Sequence, residues 1–121
     1  MKKLMHEGKI MKIPIYVDSP LAMNATGIFK IHADLFDDEL STLRDEGIFP
    51  FLEGEGMSFT RSTDESKSLN NIQYPAIIIS ASGMCEFGRI VHHIKNNIWD
   101  PKNLLLVIGF MAENTLCLLY T

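Results

Sequence analysis

At 121 residues, with 46% hydrophobic and 21% charged residues, the chain can bury one core but not two, and its composition excludes a disordered or fibrous protein. A formal net charge of -4 excludes a global positive field that would draw it to nucleic acid or anionic membrane, so any phosphate contact must be local. Cys85 and Cys117 show neither a CxxC nor a disulfide-framework spacing, the basic start MKKLMHEGKIMK lacks a signal-peptide core, and no apolar run nears the ~18 residues of a membrane span, which together point to the reducing cytoplasm.

In chain order, the run IPIYV at 13–17 reads as a strand that ends at Asp18, where Ser19 can cap a helix and Pro20 suits its first position. In that helix Leu21, Ala25, Ile28, Phe29, His32, Leu35 and Phe36 recur at three- and four-residue spacing, giving one apolar face. Asp37 to Glu46 reads as a shorter, more polar helix closed by Gly47, and IFPFLEGEG after it as a connector. MSFTR at 57–61 reads as a short strand, and STDESKSLNNI as a capped helical turn with acids in its first positions.

AIIIS at 76–80 lacks polar alternation and reads as a buried strand. In the helix expected after it, Met84, Phe87, Val91, Ile94 and Ile98 form an apolar seam, which places Cys85, Arg89, His92, His93 and Asn96 on the opposite, polar side. Asp100-Pro101 breaks that helix, NLLLVIG reads as another buried strand, and FMAENTL begins a further turn or helix.

Strands alternating with helices predict a single domain over residues 1–121 of the α/β class, an open, mostly parallel and Rossmann-like sheet flanked by helices. Ligands of such sheets gather beyond the carboxyl ends of the strands. Three polar turns would share that edge: Asp18-Ser19, Ser80-Ala81-Ser82-Gly83, and Gly109 through Thr115.

Several chemistries can be set against that edge. A metal needs three or more converging ligands, whereas His92 and His93 diverge by about 100° on a helix, so a polar face is the simpler reading. His32, near Asp34, Asp37 and Asp38, sits on an apolar stripe where a hydrogen-bonded core histidine is commoner than a ligand. Ser82 or Cys85 as a nucleophile would need a base that no motif places. A phosphate cradle fits the residue types better: Ser80 and Ser82 as donors, Gly83 for close backbone approach, the first amides of the helix, and Arg89 for a second phosphate. The alternative, in which Ser82 only caps the helix while Gly83 and Gly88 only allow close packing, fits the pattern equally well.

The blocks IPIYVDSPLA (13–22), DESKSLN (64–70), PAIIISASGMCEFGRIVHHIKN (75–96) and NLLLVIGFMAENTL (103–116) together resemble the β-CASP domain of metallo-β-lactamase-fold ribonucleases, including ribonuclease J and other prokaryotic RNA-metabolising enzymes. The likeness runs from about Ile13 to Leu116 and departs over 117–121, where CLLYT stands in place of the family's glycine and basic residues.

The resemblance implies an RNA-binding cassette beside a lactamase domain, with single-stranded RNA in the cleft between them. It implies zinc held by the HxHxDH motif of that other domain, which this sequence lacks along with the family's SAHxD segment. No cofactor, metal ligand or catalytic residue is therefore assigned within the chain, which is expected to be inactive by itself and to be a truncated or excised piece. Ser19, Ser80, Ser82, Gly83, Arg89, Glu113 and Thr115 are the RNA- or phosphate-contact candidates. Asp18, Pro20, Met84, Gly88, His92, His93 and Gly109 are motif or structural positions. Two rival readings remain: an interaction module that pairs with a lactamase-fold subunit or with itself as a homo-oligomer, and a Rossmann-like nucleotide-binding domain, which lacks a G-x-G-x-x-G after the first strand.

Overall fold

In the computed structural model, which describes residues 2–46, 56–115 and 118, three parallel strands form a sheet in the order β2-β1-β3. Strand β1 (Ile15–Asp18) is central. It pairs with β2 (Met57–Phe59) from Ile15 opposite Met57 to Val17 opposite Phe59, and with β3 (Ile77–Ser80) from Ile15 opposite Ile77 to Asp18 opposite Ser80. The chain is thus α/β, with helices flanking an open parallel sheet.

Local chemistry explains most of the helices. Ser19 accepts a hydrogen bond from the Ala22 N–H, and Pro20 opens α2 (Pro20–Ile31) at the position where a missing N–H costs nothing. Asp37 caps α3 (Asp38–Asp45) through the Leu40 N–H, and Ser62 caps α4 (Thr63–Ser68) through the Glu65 N–H. The Glu65 carboxylate reaches back to the Arg61 N–H, close to a capping box, and these hydrogen bonds hold that carboxyl below its ordinary range. Short 3₁₀ turns follow α2 at Ala33–Leu35 and α4 at Leu69–Asn71. The N-terminal helix α1 (Lys2–His6), which the sequence reading did not assign, adds Met5 to the core formed by Ile15, Val17 and Met57, with Ile13, Ala22, Phe59 and Ile77 packed around it.

Four sequence expectations are corrected. Helix α5 (Arg89–Asn97) begins five residues after Met84, because Gly88 at φ 78° precedes it, so Met84 and Phe87 belong to a turn and Phe87 is exposed. The stretch NLLLVIG is not a strand: residues 104–110 make no backbone hydrogen bonds among the described residues, and Leu106, Ile108 and Phe110 are 74%, 91% and 83% exposed. The turn expected in FMAENTL is present at Glu113-Asn114, and Leu116 lies outside the described residues. Helix α2 buries none of its residues fully, so its apolar spacing marks an open face, and His32 is an exposed C-cap residue instead of a core histidine. The expected stop at Gly47 and nearly all of the IFPFLEGEG connector lie outside the described residues.

Candidate functional site

The carboxyl ends of the three strands meet at Asp18, the last residue of β1, whose side chain is completely buried. In a sheet ordered β2-β1-β3 the chain passes from β1 to one neighbour and then crosses over β1 to reach the other, and ligands of open parallel sheets gather at the carboxyl ends of the strands. A bare carboxylate would not survive there, because burial penalises its charge. Four side chains, two of them from α5, satisfy it. The Ser66 hydroxyl of α4 donates to Oδ2 at 2.6 Å, and the Thr60 hydroxyl beyond β2 donates to Oδ1. His93 Nε2 lies 2.7 Å from Oδ2, and an Arg89 guanidinium nitrogen donates to Oδ1 at 2.6 Å. Burial pushes the Asp18 carboxyl up, but the combined hydrogen bonds from Ser66, Thr60, His93 and Arg89 prevail and hold it at about 2.

A second ring of contacts fixes the first. His93 Nδ1 is 2.9 Å from Asn70 Oδ1, and Asn97 Nδ2 donates both to that oxygen and to the His93 carbonyl. Ser80 Oγ donates to the Asp18 carbonyl, and the Arg89 nitrogen also reaches the Thr60 hydroxyl at 3.2 Å. Asp18 therefore ties β1, the end of β2, α4, the 3₁₀ turn, β3 and α5 together.

The turn between β3 and α5 is mounted on this cluster and closed by its own backbone. Ser82 N–H donates to Phe87 O, Cys85 N–H to Ser82 O and Ile90 N–H to Ala81 O, each at 3.1 Å. A side chain at Gly88 would bring its Cβ to 2.6 Å from the Ala81 carbonyl oxygen, so glycine is required there both for space and for its positive φ. Gly83 has open space around it. Ser82 Oγ is buried without a hydrogen-bond partner.

Against this geometry the expected site residues divide. Arg89 and His93 do not face outward: with Asn97 they form an inward polar stripe one turn apart, held there by Asp18 and Asn70. His92 alone of the adjacent pair is exposed. The amide of Ile90 is already bonded to Ala81, and Ser80 to Asp18, so an anion could meet neither without displacing a partner. Ser19 is buried as a helix cap. Thr115 is buried and donates to the Ala112 carbonyl, while Glu113 and Gly109 are exposed and apart from the cluster's hydrogen bonds. Cys85 is buried and disulfide-bonded, contrary to the expectation of reduced cysteines, which removes it as a nucleophile. Thr60, Ser66, Asn70 and Asn97 were not anticipated. The available signal was the spacing of Arg89, His93 and Asn97 by four, which marks one helix face.

Among the described residues no three His, Cys, Asp or Glu side chains converge as a metal cluster, and none of the helices is long and apolar enough to cross a membrane. The donor set does not fit a zinc site, because Asp18 and His93 are occupied by each other and by Ser66, Arg89 and Asn70.

Comparison with known proteins places the site in context. Residues 1–117 match the Beta-Casp domain family. The chain is 32% identical over 111 residues to a ribonuclease of Thermus thermophilus, covering 92% of this chain and 26% of the relative. It is 34% identical over 109 residues to an RNase J-like protein of Methanocaldococcus jannaschii, covering 90% and 24%. It is 27% identical over 117 residues to the transcription termination factor FttA of Methanosarcina mazei, covering 96% and 18%. The chain thus spans about a quarter or less of these relatives' length.

Proposed function

The chain belongs to the Beta-Casp domain family, and from that premise we propose that it is the RNA-clamping wall of an RNA-processing nuclease, holding single-stranded RNA by its phosphates along the carboxyl edge of the sheet. The observation that carries this reading is the turn of residues 80–88, fixed on the buried Asp18 cluster at that edge. The relatives named as ribonuclease and RNase J-like support it. With Arg89 turned inward and the Ser82 hydroxyl buried, the candidate left for RNA contact in this turn is the backbone of Gly83, which has open space around it.

Hydrolysis belongs to a zinc-bearing lactamase-type domain in this reading. In this reading no chemical step falls to the residues of this chain, and the chain alone is inactive. Its own work is to bind and orient the strand. The exposed Leu21, Ile28 and Phe29 of α2 favour a second role, contact with such a domain or with another copy.

Titration of the chain against a labelled short single-stranded RNA tests the reading. Binding should weaken as salt rises, since it rests on phosphate contacts. Gly83→Asp adds a carboxylate in open space and should weaken binding roughly tenfold without loss of fold. Affinity insensitive to both salt and Gly83→Asp would refute the assignment.

A further inference from the structure

Phe87 is the apolar exception on the turn of residues 80–88. It is 73% exposed, although it belongs to a segment closed by its own backbone hydrogen bonds. The Phe87 carbonyl accepts from the Ser82 N–H at 3.1 Å, and Gly88 at φ 78° fixes the chain on its other side. An aromatic side chain on a backbone already held in place loses little further freedom when a ligand settles on it. The same hydrogen bond sets Phe87 across the neck of the turn from Ser82, and so beside Gly83, where a Cβ would meet open space.

The other exposed aromatic residues lack this combination. Phe29 and Trp99 sit more than about two helical turns from the carboxyl edge of the sheet, towards the far end of α2 and just past that of α5. Tyr74 precedes β3, at the opposite edge of the sheet, and its hydroxyl is bonded to that of Tyr16. Phe110 belongs to the segment 104–110, which makes no backbone hydrogen bonds among the described residues.

The charges at the turn show what such a ring would add. The stretch SASGMCEFG contains no lysine or arginine, Glu86 is exposed, and Arg89 just after it is held by Asp18. A phosphate at the Gly83 backbone is therefore positioned there more than it is attracted. Further affinity has to come from an uncharged contact, and the face of an aromatic ring offers one to any base.

We propose that Phe87 is a base-stacking platform, on which one unpaired nucleobase lies while the adjoining phosphate meets the Gly83 backbone. The proposal rests on the RNA-clamping reading above and adds to it a selectivity for unpaired nucleotides. A base inside a duplex is already stacked and has no free face to offer, whereas a single-stranded base can be splayed onto the ring. Since stacking reads the π face and not the hydrogen-bonding edge, the platform tolerates any sequence.

The test titrates the 121-residue chain, Phe87→Ala and Phe87→Trp against a labelled short single-stranded RNA, the same RNA with abasic nucleotides, and its duplex. Phe87→Ala should weaken binding of the intact single strand roughly tenfold, and Phe87→Trp should preserve it. Neither substitution should move the urea unfolding midpoint, because the side chain is exposed. Abasic RNA and duplex should bind the original chain more weakly and should not distinguish it from Phe87→Ala. The salt dependence should be the same in both proteins, since no ionic contact is removed. Equal affinity of the original chain and Phe87→Ala for the intact single strand would overturn the platform, as would an equal loss of affinity in both on removing the bases. Either result with Gly83→Asp still weakening binding would refute the stack alone. Binding insensitive to salt and to Gly83→Asp would refute the clamp, and no binding at all would refute both.

Discussion

The Asp18 cluster and the segment 104–110 invert what their compositions suggest. The first gathers a carboxylate, a guanidinium and an imidazole, and lies inside; the second holds Leu104, Leu106, Ile108 and Phe110, and lies outside. Burial here is decided by partners. Each polar group of the cluster is met by at least one complementary group from another element, which offsets desolvation. Among the described residues no element lies over the apolar segment, and the hydrophobic effect acts only on surface that something covers. The lesson is that an apolar run marks a need for a cover, and an inward polar stripe marks a network, even when both carry the same helical or strand-like spacing.

The sharpest way to break the contrast is Asp18→Ala. It leaves the half-buried Arg89 without its counter-charge and the buried His93 without its hydrogen-bond partner at Nε2, and should cost about 3–5 kcal/mol in urea unfolding. Acid does the same to the intact chain. Because the Asp18 carboxyl is lowered to about 2, its contribution is fully present above the ordinary value of 3.8 and fades as pH falls from about 4 towards 2. A denaturation midpoint unchanged between pH 5 and 2 would show that the carboxylate is not the hub.

A smaller effect is expected at the turn. Gly88→Ala must place a Cβ 2.6 Å from the Ala81 oxygen at a positive φ, and should cost about 1–3 kcal/mol while leaving the sheet intact by circular dichroism. The smallest belongs to the exposed segment. Leu106→Ser should change stability by less than about 0.5 kcal/mol, and a loss as large as that of a core residue would mean the segment is covered in solution.

Local signals made much of the fold readable in the sequence. Ser19 with Pro20, Asp37 and Ser62 each announce a helix start by chemistry confined to four residues, and the apolar runs at 13–17 and 76–80 announce β1 and β3. The start of α5 was misplaced because the spacing of Met84, Phe87 and Val91 continues through a turn that only the backbone of Gly88 reveals. The short α1 has too few residues to show a period.

The site was harder to read for a different reason. Asp18 and His93 are 75 residues apart, and Thr60, Ser66 and Asn70 come from three further stretches with no shared motif. Sequence blocks drew attention to Asp18, Arg89 and His93, but only the fold turns the last two inward. Residue type alone suggested phosphate contact for Arg89; the partner at the strand end decides otherwise.

Native-state amide hydrogen exchange tests most directly whether the polar cluster pins the turn to the sheet. The amides of Ser82, Cys85 and Ile90, which close the turn of residues 80–88, should be protected to the same degree as those of Ile15 and Ile77 in the sheet, and far more than those of residues 104–110. Turn amides that exchange as fast as that exposed segment would contradict the account, since the Asp18 cluster would then hold a helix without fixing the edge that the helix carries.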